Sequence, residues 1–222
     1  MGELGDFVLD LQNGRLTHAT VATRSATRTV PANLLTWNEE RKTWVLGMSA
    51  TQFAGAPEFD VDEFRAKGAD DRGEDERDEK GETQRKPAGR LGHMLLGELP
   101  RARFHATDAA LGDAVETVIY ADEPTIAFVL VMAEPGEAEV GDAEARTEIA
   151  IPWVSCQARE AEKQPGQTEV QVDASLAKIQ AAPVPDAQAA GRRLSDATFR
   201  AGLYEHFGVQ PPSFDARLGT PR

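Results

Sequence analysis

The feature that most constrains the fold of this 222-residue chain is an internal repeat. The stretch FAGAPEFD at residues 53–60 reappears as IQAAPVPD at residues 179–186, an offset of 126. Towards the N terminus the offset falls to 121, where Val30-Pro31 meets Ile151-Pro152, and then to 110, where Val8-Leu9 meets Val118-Ile119. It changes only across polar stretches, as expected when turns between duplicated strands differ in length. The repeat predicts two modules of one fold rather than two unrelated strand-rich stretches.

Short strands account for most of each copy. In the first, DFVLDL and RLTHATVA flank Gln12-Asn13-Gly14, and Asn-Gly between apolar runs is a strong hairpin signal because both residues tolerate positive φ. The second repeats the pattern with ETVIYA, TIAFVLVMA, TEIAIPWVSCQA and TEVQVDA, preceded by an additional strand in RARFHAT. Regularly spaced short strands predict a mainly β chain with antiparallel sandwiches or barrels.

The chain divides into two modules at 1–64 and 91–215, separated by a charged segment. Residues 65–90 hold eight acids and eight bases and almost nothing apolar, so we expect a disordered linker there. A helix is predicted at about 195–207, with Ser195 or Asp196 as its cap and Gly208 just beyond its end. The tail at 216–222 is predicted to be loose.

These motifs resemble the PRC-barrel domain. The resemblance rests on the strand pair around DLQNGRL, on VPANLL or IPWVSC, on the ending F/I-x-x-A-P-x-x-D, and on RRLSDATFRAGLYEHFGVQPPSFD near the C terminus. That small β-barrel occurs in the cytoplasmic domain of the photosynthetic reaction-centre H subunit and in the ribosome maturation factor RimM. The C-terminal stretch RRLSDATFRAGLYEHFGVQPPSFD is similar to the helix-plus-aromatic tail of stand-alone tandem bacterial PRC-barrel proteins. The resemblance implies two PRC-type β-barrels in tandem and a docking or scaffold role.

One departure from the family pattern predicts an association surface. Module one begins where the second strand of a PRC barrel is expected, which leaves an edge at Phe7, Val8 and Leu9 without a neighbour. An upstream segment, a strand of module two or a second chain can each fill such an edge. Because module two needs RARFHAT for itself, we expect a second chain, most simply in a homodimer.

Charge and composition narrow the classes of function. The net charge of −13 argues against direct nucleic-acid binding, which needs a basic surface. No apolar run is long enough for membrane insertion and no signal peptide is recognised, so a cytoplasmic location is expected. A single cysteine, Cys156, excludes an internal disulfide and a multi-cysteine metal site.

No arrangement of residues indicates a reaction. The four histidines are scattered, Cys156 has no paired histidine in the sequence, and no glycine-rich phosphate loop opens a helix, so we expect no catalytic site and no cofactor. One acidic loop is a weaker candidate site for a divalent cation or a basic partner. Its residues are Glu134, Glu137, Glu139 and Asp142, for which solubility is the simpler explanation.

The function predicted from the sequence is that of a non-enzymatic adaptor or scaffold that binds a protein partner. The alternative is a RimM-like accessory factor in ribosome or RNA processing, which would act through a basic protein partner. A photosynthetic role would be expected only in an organism that has reaction-centre genes.

Overall fold

The computed structural model describes residues 2–38, 40–60, 93–120, 123–133, 147–161, 167–184, 194–211 and 218–219. Within these ranges the chain is mainly β with few helices, as the sequence predicts. Two predicted features lie outside the described residues. They are the linker at 65–90 and the acidic loop with Glu134, Glu137, Glu139 and Asp142.

Module one consists of five strands, a 3-10 turn and a short helix. In chain order these are β1 (Glu3–Asp10), β2 (Arg15–Ala22), β3 (Thr27–Pro31), the 3-10 turn Ala32–Leu34, β4 (Leu35–Asn38), β5 (Thr43–Leu46) and α1 (Ala50–Ala54). Gly14 closes the first hairpin with φ +65°, the left-handed conformation that the Asn-Gly signal predicts. Ser49 and Gln52 form a capping box that begins α1.

Module two repeats this order after three additional elements. These are β6 (His93–Leu95), the 3-10 turn Leu96–Arg101 and β7 (Arg103–His105). The repeated elements are β8 (Ala114–Tyr120), β9 (Thr125–Ala133), β10 (Thr147–Pro152), the 3-10 turn Trp153–Ser155, β11 (Cys156–Glu160), β12 (Thr168–Val172) and α2 (Leu176–Gln180). A longer helix, α3 (Ala197–Phe207), and a two-residue strand, β13 (Leu218–Gly219), follow.

The strand registers of the two modules agree residue by residue. Leu9 pairs with Leu16, and Ile119 pairs with Ile126, both 110 residues further along. An irregularity follows Val8 in β1 and recurs at the matching position of β8. The third strand of the repeated part, β3 in module one and β10 in module two, ends in a proline. In both modules it leads into a 3-10 turn, at Val30-Pro31 and at Ile151-Pro152. The offsets found in the sequence therefore match equivalent positions in the structure.

One eight-stranded sheet joins the two modules. Its path is β13-β8-β9-β2-β1-β6, with β3 paired to β2 and β10 paired to β9. At its centre the Leu16 N–H donates to the Pro124 carbonyl (2.6 Å) and the Ile126 N–H donates to the Gly14 carbonyl (2.7 Å). Each bond is the counterpart of the other at the 110-residue offset, so a local pseudo-twofold axis relates the two hairpins. Among the described strands no closed barrel is found; the remaining strands form the sheets β11-β12-β7 and β4-β5.

Two groups of buried side chains lie on the two faces of this sheet. The larger contains residues of both modules, such as Leu9, Phe104 and Ile151. The smaller lies between α3 and the outer face of module two and includes Phe128 and Leu203. Burial of this apolar area is the main source of stability for a fold of this kind. The modules therefore share a core and are not two independent bodies.

Helix α3 has the ends that the sequence predicts. The Asp196 side chain accepts a hydrogen bond from the Thr198 N–H, and Gly208 has φ +74° just after the last turn. The helix begins at Ala197 rather than at 195. No described helix has the length and apolar character needed to cross a membrane.

The tail differs from its prediction at two positions. Leu218 and Gly219, inside the segment 216–222 that was expected to be loose, pair with Tyr120 and Ile119 of β8. The short sequence LG carries no strand signal of its own, so only the neighbouring edge of β8 explains this pairing.

Candidate interaction surface

The edge predicted to be open is covered by another part of the chain. Strand β6 pairs with β1, placing Leu95 opposite Val8 and Met94 opposite Leu9. Phe7, Val8 and Leu9 are at most 3% exposed. The prediction of an open edge is therefore wrong at these residues, and a homodimer formed there has no support from the described strands. The sequence predicts one strand ahead of β8, in RARFHAT. The structure has two strands there, β6 and β7, which are separated by a 3-10 turn.

A half-buried carboxylate, that of Asp6, holds β6 and its following turn in place. The Asp6 side chain accepts hydrogen bonds from the backbone N–H groups of Phe7 (2.7 Å) and Gly97 (3.1 and 3.2 Å). Burial raises the pKa of this carboxyl, and the two backbone hydrogen bonds oppose that rise. Asp6 thus links β1 to the turn that follows β6.

In module two, strand β7 covers the outer edge of β12. The two strands run parallel, with Arg103 opposite Glu169, Phe104 opposite Val170 and His105 opposite Gln171. Phe104 and Val170 are almost completely buried. The Gln171 amide also donates to the carbonyl of Ala106 (2.7 Å), which ties down the chain just after β7.

On the face of this sheet opposite to Phe104 and Val170, polar side chains from the three strands contact one another. The Glu169 carboxylate lies 3.2 Å from Nε of Arg159 on β11 and 3.9 Å from Nε2 of His105 on β7. A pair as exposed as Arg159–Glu169 contributes little to stability. The contacts nevertheless link all three strands of the sheet.

The counterpart edge in module one pairs with none of the strands that the structure describes. Strand β5 pairs with β4, but none of the described strands pairs with its outer side. Val45 in the middle of β5 is 46% exposed, and it is one of four large apolar residues in the described ranges that are 39–58% exposed. Natural proteins usually cover or blunt such an edge, because it offers unpaired backbone groups to another chain. We call the outer side of β5, from Thr43 to Leu46, the β5 edge.

Aromatic side chains fill the space behind the β5 edge. The centroid of the Trp44 ring lies 5.9 Å from that of the Phe7 ring and 5.5 Å from that of the Trp37 ring. Both pairs have edge-to-face geometry. Trp44 takes the place of the smaller Val170, and Phe7 takes the place of Thr117. Unlike Val170, Trp44 is only partly buried. Among the described residues, module one thus fills this part of its core with aromatic rings, and no strand pairs with the edge of its sheet.

The only cysteine has the properties of a core side chain. Cys156 is buried, and burial raises the pKa of its thiol to about 12, so it is protonated at neutral pH. Its Sγ donates to the Pro152 carbonyl at 3.7 Å. A protonated, buried thiol is a poor nucleophile.

Two histidines from different modules, His18 on β2 and His93 on β6, lie near each other. His18 is mostly exposed. The part of its side chain that is buried lowers its pKa, and the neighbouring His93 lowers it further. Among the residues that the structure describes, no three His, Cys, Asp or Glu side chains are placed to hold a metal ion.

Sequence reasoning missed the β5 edge. KTWVLGM is correctly predicted as a strand, and its alignment with TEVQVDA matches Trp44 to Val170 and Leu46 to Val172. The edge could have been inferred from RARFHAT, which lies in module two ahead of its repeated part and has no aligned counterpart in module one. Comparison with protein-family models and with curated proteins finds no match to this chain.

Proposed function

We propose that this protein is a non-enzymatic adaptor, built from two PRC-like modules of the tandem-barrel type, that binds a partner protein. The resemblance to PRC barrels and the duplicated register support the proposed architecture. In such proteins a rigid sheet scaffold presents edges and loops to other chains.

The observation that carries the proposal is the β5 edge. The same chain covers the equivalent edge of module two with β7 and leaves this one without a strand among the described residues. An exposed edge with an apolar residue at its centre is a template for pairing with another chain.

Three side chains with reactive groups, Cys156, Tyr120 and Tyr204, are buried in the fold. The Cys156 thiol is protonated at neutral pH, and the hydroxyls of Tyr120 and Tyr204 form a buried hydrogen bond with each other. Burial raises the pKa of both tyrosines, so neither supplies a phenolate base. These groups stabilise the fold.

Affinity capture with matched variants tests the proposal. The full chain, a Val45→Lys variant and a Val154→Lys variant are used as baits in a cell lysate, with and without nuclease. Val154 is 58% exposed in a 3-10 turn of module two and controls for an added surface charge. We expect one partner protein to be retained by the wild type and by Val154→Lys and to be lost with Val45→Lys.

Two other outcomes would change the assignment. Ribosomal proteins that remain bound after nuclease treatment would favour the RimM-like alternative. Failure of all three baits to retain any protein at tens of micromolar would contradict the adaptor function.

A further inference from the structure

We infer that the partner adds an extended segment to the β5 edge in the parallel direction, with an apolar side chain opposite Trp44. The inference rests on the proposed function and specifies how the partner is recognised. Its basis is that module two contains the equivalent complex within its own chain, β7 on β12.

The register of the incoming segment follows from the repeat. Pairing of Leu35 with Leu46 matches pairing of Cys156 with Val172, so positions on β5 and β12 differ by 126. Thr43, Trp44 and Val45 therefore occupy the places of Glu169, Val170 and Gln171. A segment bound as β7 is bound would set its central residue opposite Trp44.

The backbone of β5 presents the hydrogen-bonding groups that this pairing needs. The Gly47 N–H donates inward to the Leu34 carbonyl, as its counterpart Asp173 donates to Ser155. Because backbone groups alternate in direction along a strand, those of Trp44 and Leu46 point outward. In module two the equivalent groups belong to Val170 and Val172 and face β7.

Burial indicates which side chain the segment brings. Phe104 of β7 is 1% exposed and its opposite residue Val170 is 0% exposed, whereas Trp44 is only partly buried. An apolar side chain opposite Trp44 would remove that area from water, the main favourable term in such an association.

Charge indicates what flanks the apolar residue. Arg103 of β7 lies opposite Glu169, but Thr43 stands in place of that carboxylate, and Arg41 lies two residues before it. A base opposite Thr43 would lack a partner and lie close to a like charge. The segment that fits best carries an acidic residue there, in contrast to β7.

Three synthetic peptides serve as probes of this recognition. The first has the sequence of residues 101–107, RARFHAT. The second carries Arg101→Glu and Arg103→Glu, and the third adds Phe104→Ala to the second. Each is added to the intact chain while amide hydrogen exchange is followed by NMR.

The expected signature is alternating protection along β5. With the second peptide near saturation, exchange at the Trp44 and Leu46 amides should slow about tenfold, while the Val45 amide, which already faces β4, should not change. The first peptide should bind more weakly, and the third should give no protection. Val45→Lys should weaken the response and Val154→Lys should not.

The outcomes separate this inference from the proposed function. If no peptide alters exchange at Trp44 and Leu46, or if protection arises at another edge, parallel strand addition is wrong. Should a partner still be captured in a Val45-dependent way, the adaptor function stands with a different binding mode. If no peptide protects β5 and no partner is captured in a Val45-dependent way, both the strand-addition inference and the adaptor function are wrong.

Discussion

Replacing Gly14 by alanine tests whether the modules are interlocked at the pseudo-twofold axis. Gly14 lies at the tip of the β1–β2 hairpin, and a Cβ added there would be 2.0 Å from Cδ1 and 2.3 Å from Nε1 of Trp153 in module two. Trp153 is 3% exposed. The residues at the matching positions across the axis are Pro124 and Ala32, so the large side chain lies on one side only.

Two terms set the size of the effect. Gly14 has φ +65°, and placing alanine in this left-handed conformation costs about 1 kcal/mol. Displacing a buried tryptophan to make room for a methyl group costs about 1–3 kcal/mol, typical of overpacking. Gly14→Ala should therefore lower the free energy of unfolding by about 2–4 kcal/mol.

The measurement is equilibrium unfolding in urea, followed by far-ultraviolet circular dichroism and by tryptophan fluorescence. A Trp153→Leu background removes the indole from the turn, and in that background Gly14→Ala should cost only the conformational part, about 1 kcal/mol. Gly202→Ala is the control, because Gly202 lies within α3 with no atom within 4 Å of an added Cβ. It should stabilise the protein by about 0.5–1 kcal/mol.

Equal costs of Gly14→Ala in the wild-type and Trp153→Leu backgrounds would refute the reasoning. The turn would then be locally strained, and contact between the modules would not be limiting. A loss below about 1 kcal/mol in the wild type would likewise show that Trp153 moves away freely.

Three further predictions concern other parts of the fold. Tyr120→Phe and Tyr204→Phe should each cost about 1 kcal/mol in urea unfolding, and the double variant should cost less than their sum, because either single change already removes the hydrogen bond between the two hydroxyls. The pKa of Cys156 is raised in the fold from its ordinary 9.0 to about 12, so its contribution to stability is complete below pH 9 and should decline between pH 9 and 12, a loss that Cys156→Ala should reduce. Limited proteolysis should cut first within 65–90, and the two fragments should co-elute in gel filtration because they share a sheet and a core; separate elution would contradict this.

Local signals predicted most of the elements within each module. The Asn-Gly turn and the terminal glycine of α3 each depend on a few neighbouring residues, and the structure contains both. The repeat added more, since its offsets of 110, 121 and 126 reappear in the strand registers.

Contacts between the modules were not predictable in the same way. Strand β6 has only three residues and pairs with β1 across a long sequence separation. The β5 edge was missed for a related reason, since an edge is defined by which strand is absent beside it. Neither pairing with a distant strand nor the absence of a neighbouring strand leaves a periodic pattern in the sequence of the strand itself.

Differences between the repeated positions show which module is closed and which is open. Phe128 and Tyr120 lie beneath α3, whereas their counterparts His18 and Asp10 are polar and lie beneath none of the helices that the structure describes. The continuous apolar run of β9 and the alternating pattern of β2 record this difference in the sequence. Module two also covers its β12 edge with β7, while module one leaves β5 without a strand among the described residues. Among the described residues, α3 covers the outer face of module two and β7 covers the edge of its β12. We therefore place the partner on module one.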